Sequence, residues 1–171
     1  MKNIVLVGFM GTGKTTIAKV LARSLGKKYV NTDDLIESRE KKSINDVFKD
    51  DGEAYFRKVE KEVIKEASRQ ADQVIDAGGG VVLDPENMEN LRMTGIVICL
   101  WADPDTICER TKKYKHRPLL DVEDPKKRIT ELLDHRRPFY EKADFHVDTS
   151  TGDIGSIVEE IKRIVDRKGN S

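Results

Sequence analysis

Ile4-Val5-Leu6-Val7-Gly8-Phe9-Met10-Gly11-Thr12-Gly13-Lys14-Thr15 opens the reading of this chain. Ile4 to Val7 is a continuous apolar run rich in β-branched residues, as expected of a strand covered on both faces. Gly8 to Thr15 matches G-x-x-x-x-G-K-[ST] in full. It follows a strand pattern and opens a helix pattern, the context that confirms the motif. Glycines let backbone N–H groups converge on a phosphate without side-chain clash. The helix N-terminus adds partial positive charge. Lys14 reaches the β and γ phosphates of a nucleoside triphosphate, and the Thr15 hydroxyl ligates Mg2+.

The same alternation continues outward. Tyr29-Val30, Val74-Ile75, Ile96 to Trp101 and Phe145-His146-Val147 read as further strands. Apolar stripes at helical spacing lie between them: Ile17, Val20, Leu21 and Leu25; Phe56, Val59, Val63 and Ala67; Ile129, Leu132, Leu133, Arg136 and Tyr140. Ile154, Ile157, Val158, Ile161, Ile164 and Val165 form the last. Asp84-Pro85, Asp103-Pro104 and Asp124-Pro125 each precede a helix, with aspartate as cap and proline at the first position. Gly26 closes the first helix. Five strands alternating with helices imply an α/β fold, a parallel sheet between two helical layers. Ligands of such sheets bind outside the carboxyl ends of the strands.

A length of 171 residues predicts a single domain over 1–171. Lysine plus arginine equal aspartate plus glutamate at 31 each, so no global field points to nucleic acid or an anionic membrane. No run reaches the roughly 20 apolar residues of a membrane span. Met1-Lys2-Asn3 leads directly into a core strand, which predicts no signal peptide and a cytoplasmic protein. Cys99 and Cys108 match no metal spacing and read as reduced packing residues. His116, His135 and His146 share no ligand spacing. Trp101 reads as packing or rim, and the basic residues of the last helix as a solvated face.

A second carboxylate for the magnesium shell has two sources, Asp76 after one strand and Asp33 or Asp34 after another. Gly78-Gly79-Gly80 lies at the ligand edge, where such a run lets backbone approach a ligand closely. Arg136 stands on an apolar helix stripe and needs an anionic partner, either a structural carboxylate or a ligand. Arg57 has Glu60 a turn away, as a surface ion pair or as part of a site. An aspartate at a strand end with two arginines suggests an acceptor carrying a hydroxyl and a carboxylate. Thr111 to Glu123 carries Lys112, Lys113, Lys115, His116 and Arg117 with little periodicity, and reads as a lid (about 111–123) over phosphates.

In order along the chain stand the phosphate loop, Asn31-Thr32-Asp33, Phe56-Arg57-x-x-Glu60, Gly78-Gly79-Gly80, Arg117-Pro118-Leu119-Leu120 and Arg136-x-Pro138-x-Tyr140. This ordered set, from Lys2 to about Val147, resembles the shikimate kinases. The resemblance implies a five-stranded sheet in order 2-3-1-4-5, akin to nucleoside monophosphate kinases. It implies transfer of the ATP γ-phosphoryl group to the 3-hydroxyl of shikimate, a step of aromatic amino-acid biosynthesis, by a monomer using Mg2+. ATP would be held by Gly11, Thr12, Gly13, Lys14, Thr15, Thr16, Arg110 near the adenine and Arg117 on the phosphates. Shikimate would be held by Asp33, Arg57, Glu60, Gly78, Gly79, Gly80 and Arg136, with an acceptor-binding helical segment at about 33–60. Lys14, Asp33 and Arg117 would be the catalytic residues.

One position departs from the family pattern. The family usually has aspartate where this chain has Asn31, a place associated with the magnesium shell. Asn31 can accept a hydrogen bond from a metal-bound water but brings no charge, and Asp76 is the residue expected to compensate. Two rival readings stay open: a kinase of the same architecture acting on gluconate or a nucleoside monophosphate, and a nucleotide-binding regulatory module without catalysis.

Overall fold

The computed structural model describes residues 2–113, 120 and 122–169. Strand β1 (Asn3–Val7) leads through the phosphate loop into α1 (Lys14–Leu25). Then follow β2 (Lys28–Asn31), α2 (Thr32–Glu40), α3 (Ile44–Asp50), α4 (Glu53–Ser68), β3 (Gln73–Asp76) and a 3-10 turn at Val81–Leu83. The second half runs α5 (Pro85–Thr94), β4 (Gly95–Trp101), α6 (Pro104–Thr111), α7 (Pro125–Tyr140), β5 (Phe145–Asp148) and α8 (Ile154–Gly169). The five strands form one sheet in the order β2-β3-β1-β4-β5. All four pairings are parallel, with Leu6 opposite Asp76 on one side and Ile98 on the other.

Alternate residues of β1 enter opposite cores, as strand periodicity demands. Val5 and Val7 join Ile75, Val97, Ile129, Leu133 and Tyr140 beneath α4, α5 and α7. Ile4 and Leu6 join Ile17, Leu21, Val147, Val158 and Ile161 beneath α1 and α8. This is the three-layer sandwich expected of an all-parallel sheet. A third, smaller cluster of Ile36, Val47, Phe56, Val59 and Val63 holds α2, α3 and α4 to one another.

The three Asp-Pro signals act as expected. Asp84, Asp103 and Asp124 each accept a backbone N–H in the first turn of α5, α6 and α7, with proline just inside each helix. Gly26, at φ 62°, ends α1. Two expected core positions fall outside it. Val20 and Ile154 are 40% and 43% exposed, because α1 and α8 turn narrower faces to the sheet than their apolar stripes suggest. Both cysteines are free thiols, Cys99 buried and Cys108 partly so. Among the described residues, no helix is long and apolar enough to cross a membrane.

Candidate active site

The carboxyl ends of β1, β2 and β3 open onto one cleft of about 990 Å³. One wall is the phosphate loop, including Lys14 and Thr15, and the opposite wall includes Asp33, Arg57, Gly80 and Arg136. Most of the residues expected to hold donor and acceptor therefore share one space, while Thr12 and Arg110 do not line it.

The loop needs its first glycine for a steric reason. Gly8 has φ 145°, and a Cβ there would lie 2.3 Å from the Leu100 carbonyl oxygen. The chain can thus leave β1 pressed against β4 before it curls over the N-terminus of α1. Thr12 is buried and its hydroxyl donates to the Phe9 carbonyl at 2.8 Å, closing the loop on itself. Lys14 Nζ donates to the carbonyls of Gly8 at 2.8 Å and Phe9 at 3.0 Å, which holds the ammonium over the loop.

Beside it, Asp76 settles which carboxylate faces Thr15. Its Oδ2 accepts from the Thr15 hydroxyl at 2.6 Å, from Asn31 Nδ2 at 3.0 Å and from the Tyr29 hydroxyl at 3.1 Å. Burial, with Asp76 nearby, pushes the Tyr29 phenol up to about 12 despite the opposing hydrogen bond from Asn31, so it stays a donor. Asn31 also caps α2, its Oδ1 accepting from Asp34 N at 3.1 Å. The amide nitrogen therefore faces Asp76 as a donor, while the amide oxygen is engaged at the helix end. Asp34 is exposed, and Asp33 lies nearer the acceptor wall, where a Cβ at Gly78 would meet its Oδ1 at 2.9 Å. The first turn of α2 is a favourable place for that carboxylate.

The acceptor wall is built from α4, α7 and the glycine loop. Arg57 pairs with Glu60 at 2.7 Å and more loosely with Glu53 at 3.4 Å. Glu60 is only 2% exposed, so the pair is no mere surface pair. Burial raises the Glu60 pKa above the usual glutamate value, while the charge of Arg57 opposes the rise. The glycines serve close approach: a Cβ at Gly80 would stand 2.4 Å from the Arg57 guanidinium. Arg136 is 5% exposed and lies over the Phe9 ring at 5.5 Å. Among the described residues it forms no salt bridge, although the buried Glu60 carboxylate feels its charge.

Arg110 is held by hydrogen bonds within the fold. It donates to the carbonyl of Gly11 at 3.3 Å and to the hydroxyl and carbonyl of Thr149 at 3.2 and 2.5 Å. Thr149 is buried and its hydroxyl lies 2.7 Å from the Thr12 carbonyl and 3.1 Å from that of Trp101. The phosphate loop is thereby tied to the ends of β4 and β5. Arg117 and His116 lie outside the described residues, as does most of the expected lid. Of that segment, Thr111 is the buried last residue of α6, Lys113 lines the cleft and Leu120 packs on the core.

Sequence reasoning gave no role to Tyr29, Thr32, Tyr140 or Thr149, although Thr32 and Tyr140 stand in the quoted motifs. The Thr32 hydroxyl accepts from Gly78 N at 3.1 Å, and the Tyr140 hydroxyl donates to the Gly79 carbonyl at 2.7 Å. A further signal was position: polar groups at strand ends, or on an apolar stripe, bury only with partners.

The family model described as shikimate kinase matches residues 10–166. A shikimate kinase of Caldanaerobacter subterraneus subsp. tengcongensis is 50% identical over 163 residues, covering 95% of each chain. One of Thermodesulfovibrio yellowstonii is 46% identical, covering 99% of this chain and 98% of its own. The solved shikimate kinase of Acinetobacter baumannii, in complex with shikimate, superposes with a TM-score of 0.94 at 34% identity, covering 98% of this chain and 94% of that one. The sheet order, the cleft and these likenesses agree, and the chain belongs to the shikimate kinase family.

Proposed function

We infer that this chain transfers the γ-phosphoryl group of ATP to the 3-hydroxyl of shikimate, giving shikimate 3-phosphate and ADP. The observation that carries this reading is Arg136, a buried guanidinium without a salt bridge among the described residues, opening onto the same cleft as the phosphate loop. A buried cation needs an anion, and the shikimate carboxylate supplies one. Family membership and a relative solved with shikimate support the same acceptor.

The phosphates take the loop amides of Gly11 to Thr16 and the Lys14 ammonium, which offset charge on the transferring group. Arg57 and Arg136 grip the acceptor carboxylate, with Glu60 holding Arg57 in place and the Gly78 to Gly80 backbone against the ring. That grip turns the hydroxyl toward Asp33, which accepts its hydrogen bond and aligns the oxygen for in-line attack. Arg117 is assigned to the phosphates through the family resemblance, and Arg110 to the adenine side. The residues present fit Mg2+: the Thr15 hydroxyl and Asp76 are already joined at 2.6 Å beside the loop. Such an ion is held by one or two carboxylates plus substrate phosphates. When bound, it would neutralise charge on the phosphates. The enzyme is assigned to the cytoplasm and to the monomeric state.

A coupled assay for ADP release, run with shikimate, gluconate and AMP, tests the reading. Shikimate-dependent turnover is expected. Turnover with another acceptor alone, or ATP binding without acceptor-stimulated turnover, refutes it. Arg136→Ala should mainly raise the shikimate KM, whereas Lys14→Ala should mainly lower kcat.

A further inference from the structure

Tyr140 ends α7 and is 1% exposed, yet its hydroxyl leaves the core and donates to the Gly79 carbonyl at 2.7 Å. Arg136 stands one turn earlier on the same helix face. Its Nη1 would lie 3.7 Å from a Cβ at Gly79, and its guanidinium rests on the Phe9 ring. One turn of α7 therefore reaches the glycine loop twice, with a cation and with a phenol. Pro138 lies between the two inside the helix, where its missing N–H removes one rung of the hydrogen-bond ladder.

The rest of the loop is tied elsewhere. Gly78 N donates to the Thr32 hydroxyl, while Val81 N and Leu83 N donate to the carbonyls of Gly78 and Gly80. Among the described hydrogen bonds, the Gly79 carbonyl has Tyr140 as its partner. A buried phenol always seeks an acceptor, so a purely structural bond is the plain alternative. The place of the acceptor argues otherwise, because it belongs to the cleft wall and not to a core element.

We propose that Tyr140 is a positioning residue for the phosphoryl acceptor, its hydroxyl tying the Gly78–Gly80 backbone to the helix turn that carries Arg136. Loop and guanidinium then meet the acceptor carboxylate as one preorganised unit. Burial pushes the Tyr140 phenol up to about 12, while the charge of Arg136 pulls the other way, so the donor proton is present at neutral pH. The inference rests on the reading of Arg136 and the glycine loop as the acceptor wall.

Tyr140→Phe keeps the ring and removes the hydroxyl. We expect the shikimate KM to rise about tenfold, the size of one lost buried hydrogen bond, with kcat and the ATP KM within about twofold. In an Arg136→Lys background the same change should cost markedly less, because the two residues act as a pair. A shikimate KM within about twofold of the unmodified enzyme overturns the proposal. So does a parallel loss in kcat and both KM values, which marks a structural role. If Tyr140→Phe does not fold, hydrogen exchange on the unmodified protein decides. Shikimate must then slow exchange in the glycine loop and the last turn of α7 together, and protection of the loop alone refutes the tie. Should Arg136→Ala raise the shikimate KM while Tyr140→Phe does not, this inference fails and the assigned function stands. Failure of the unmodified protein to turn over shikimate sinks the function itself.

Discussion

Replacing Asn31 with aspartate would exchange a hydrogen-bond donor for a charge at the most crowded carboxylate of the site. Asn31 Nδ2 lies 3.0 Å from Asp76 Oδ2. A carboxylate oxygen in its place would repel Asp76 by about 5.5 kcal/mol at an effective dielectric of about 20, or about 1.4 kcal/mol in bulk water. A hydrogen bond to a charged group, worth about 1.5–3 kcal/mol, is lost as well. The helix cap survives, since aspartate also accepts from Asp34 N. Asn31 is half-buried and the new side chain can swing toward water, so the net cost falls near about 2 kcal/mol. For a chain of this size that lowers Tm by about 4–8 °C in a metal chelator. A divalent cation between the two carboxylates should reverse the sign of their interaction, and saturating Mg2+ should recover most of the loss. Thermal melts of both proteins, with chelator and with Mg2+, are the assay. Equal melting temperatures in chelator, or a deficit that Mg2+ leaves untouched, would refute the argument that Asn31 relieves charge at Asp76.

Three other outcomes are expected. Gly80→Ala places a Cβ 2.4 Å from the Arg57 guanidinium, so steady-state kinetics should show a shikimate KM raised at least about tenfold with the ATP KM unchanged. Glu60 has a folded pKa raised by burial, so its stabilising contribution is full below the unfolded value and is lost as pH rises through the folded one. Urea titrations should therefore show Glu60→Gln gaining on the unmodified protein as pH rises above the ordinary glutamate range, and a gap that ignores pH contradicts this. Thr149→Val removes the hydroxyl beneath Thr12 and Arg110, costing about 1–3 kcal/mol of stability and raising the ATP KM without moving that of shikimate.

The layers of the fold were legible because β1 and β4 are unbroken apolar runs and each Asp-Pro pair caps a helix. The phosphate loop was legible because its chemistry needs particular residues at fixed spacing. Arg136 was legible as a conflict between a charge and an apolar stripe. Its freedom from a salt bridge among the described residues was not, because partners come from other elements. Tyr29 and Tyr140 escaped for the same reason: each looks like packing until the fold places a carboxylate or a carbonyl at its hydroxyl. Asn31 read as a metal-shell acceptor, and the fold adds two contacts the sequence could not show, its Nδ2 donating to Asp76 and its Oδ1 capping α2.

The separate cluster beneath α2, α3 and α4 has a further consequence. The phosphate loop is stitched to the ends of β4 and β5 through Thr149, inside the large cores. Helices α2 and α3 rest instead on a handful of side chains shared with the outer face of α4, such as Ile36, Val47 and Phe56. Small packed units open at lower free energy than the body they sit on. Drift in the identity of the acceptor can therefore accumulate in that outer unit at little risk to the nucleotide machinery, which makes this corner of the molecule the natural place to graft a new specificity.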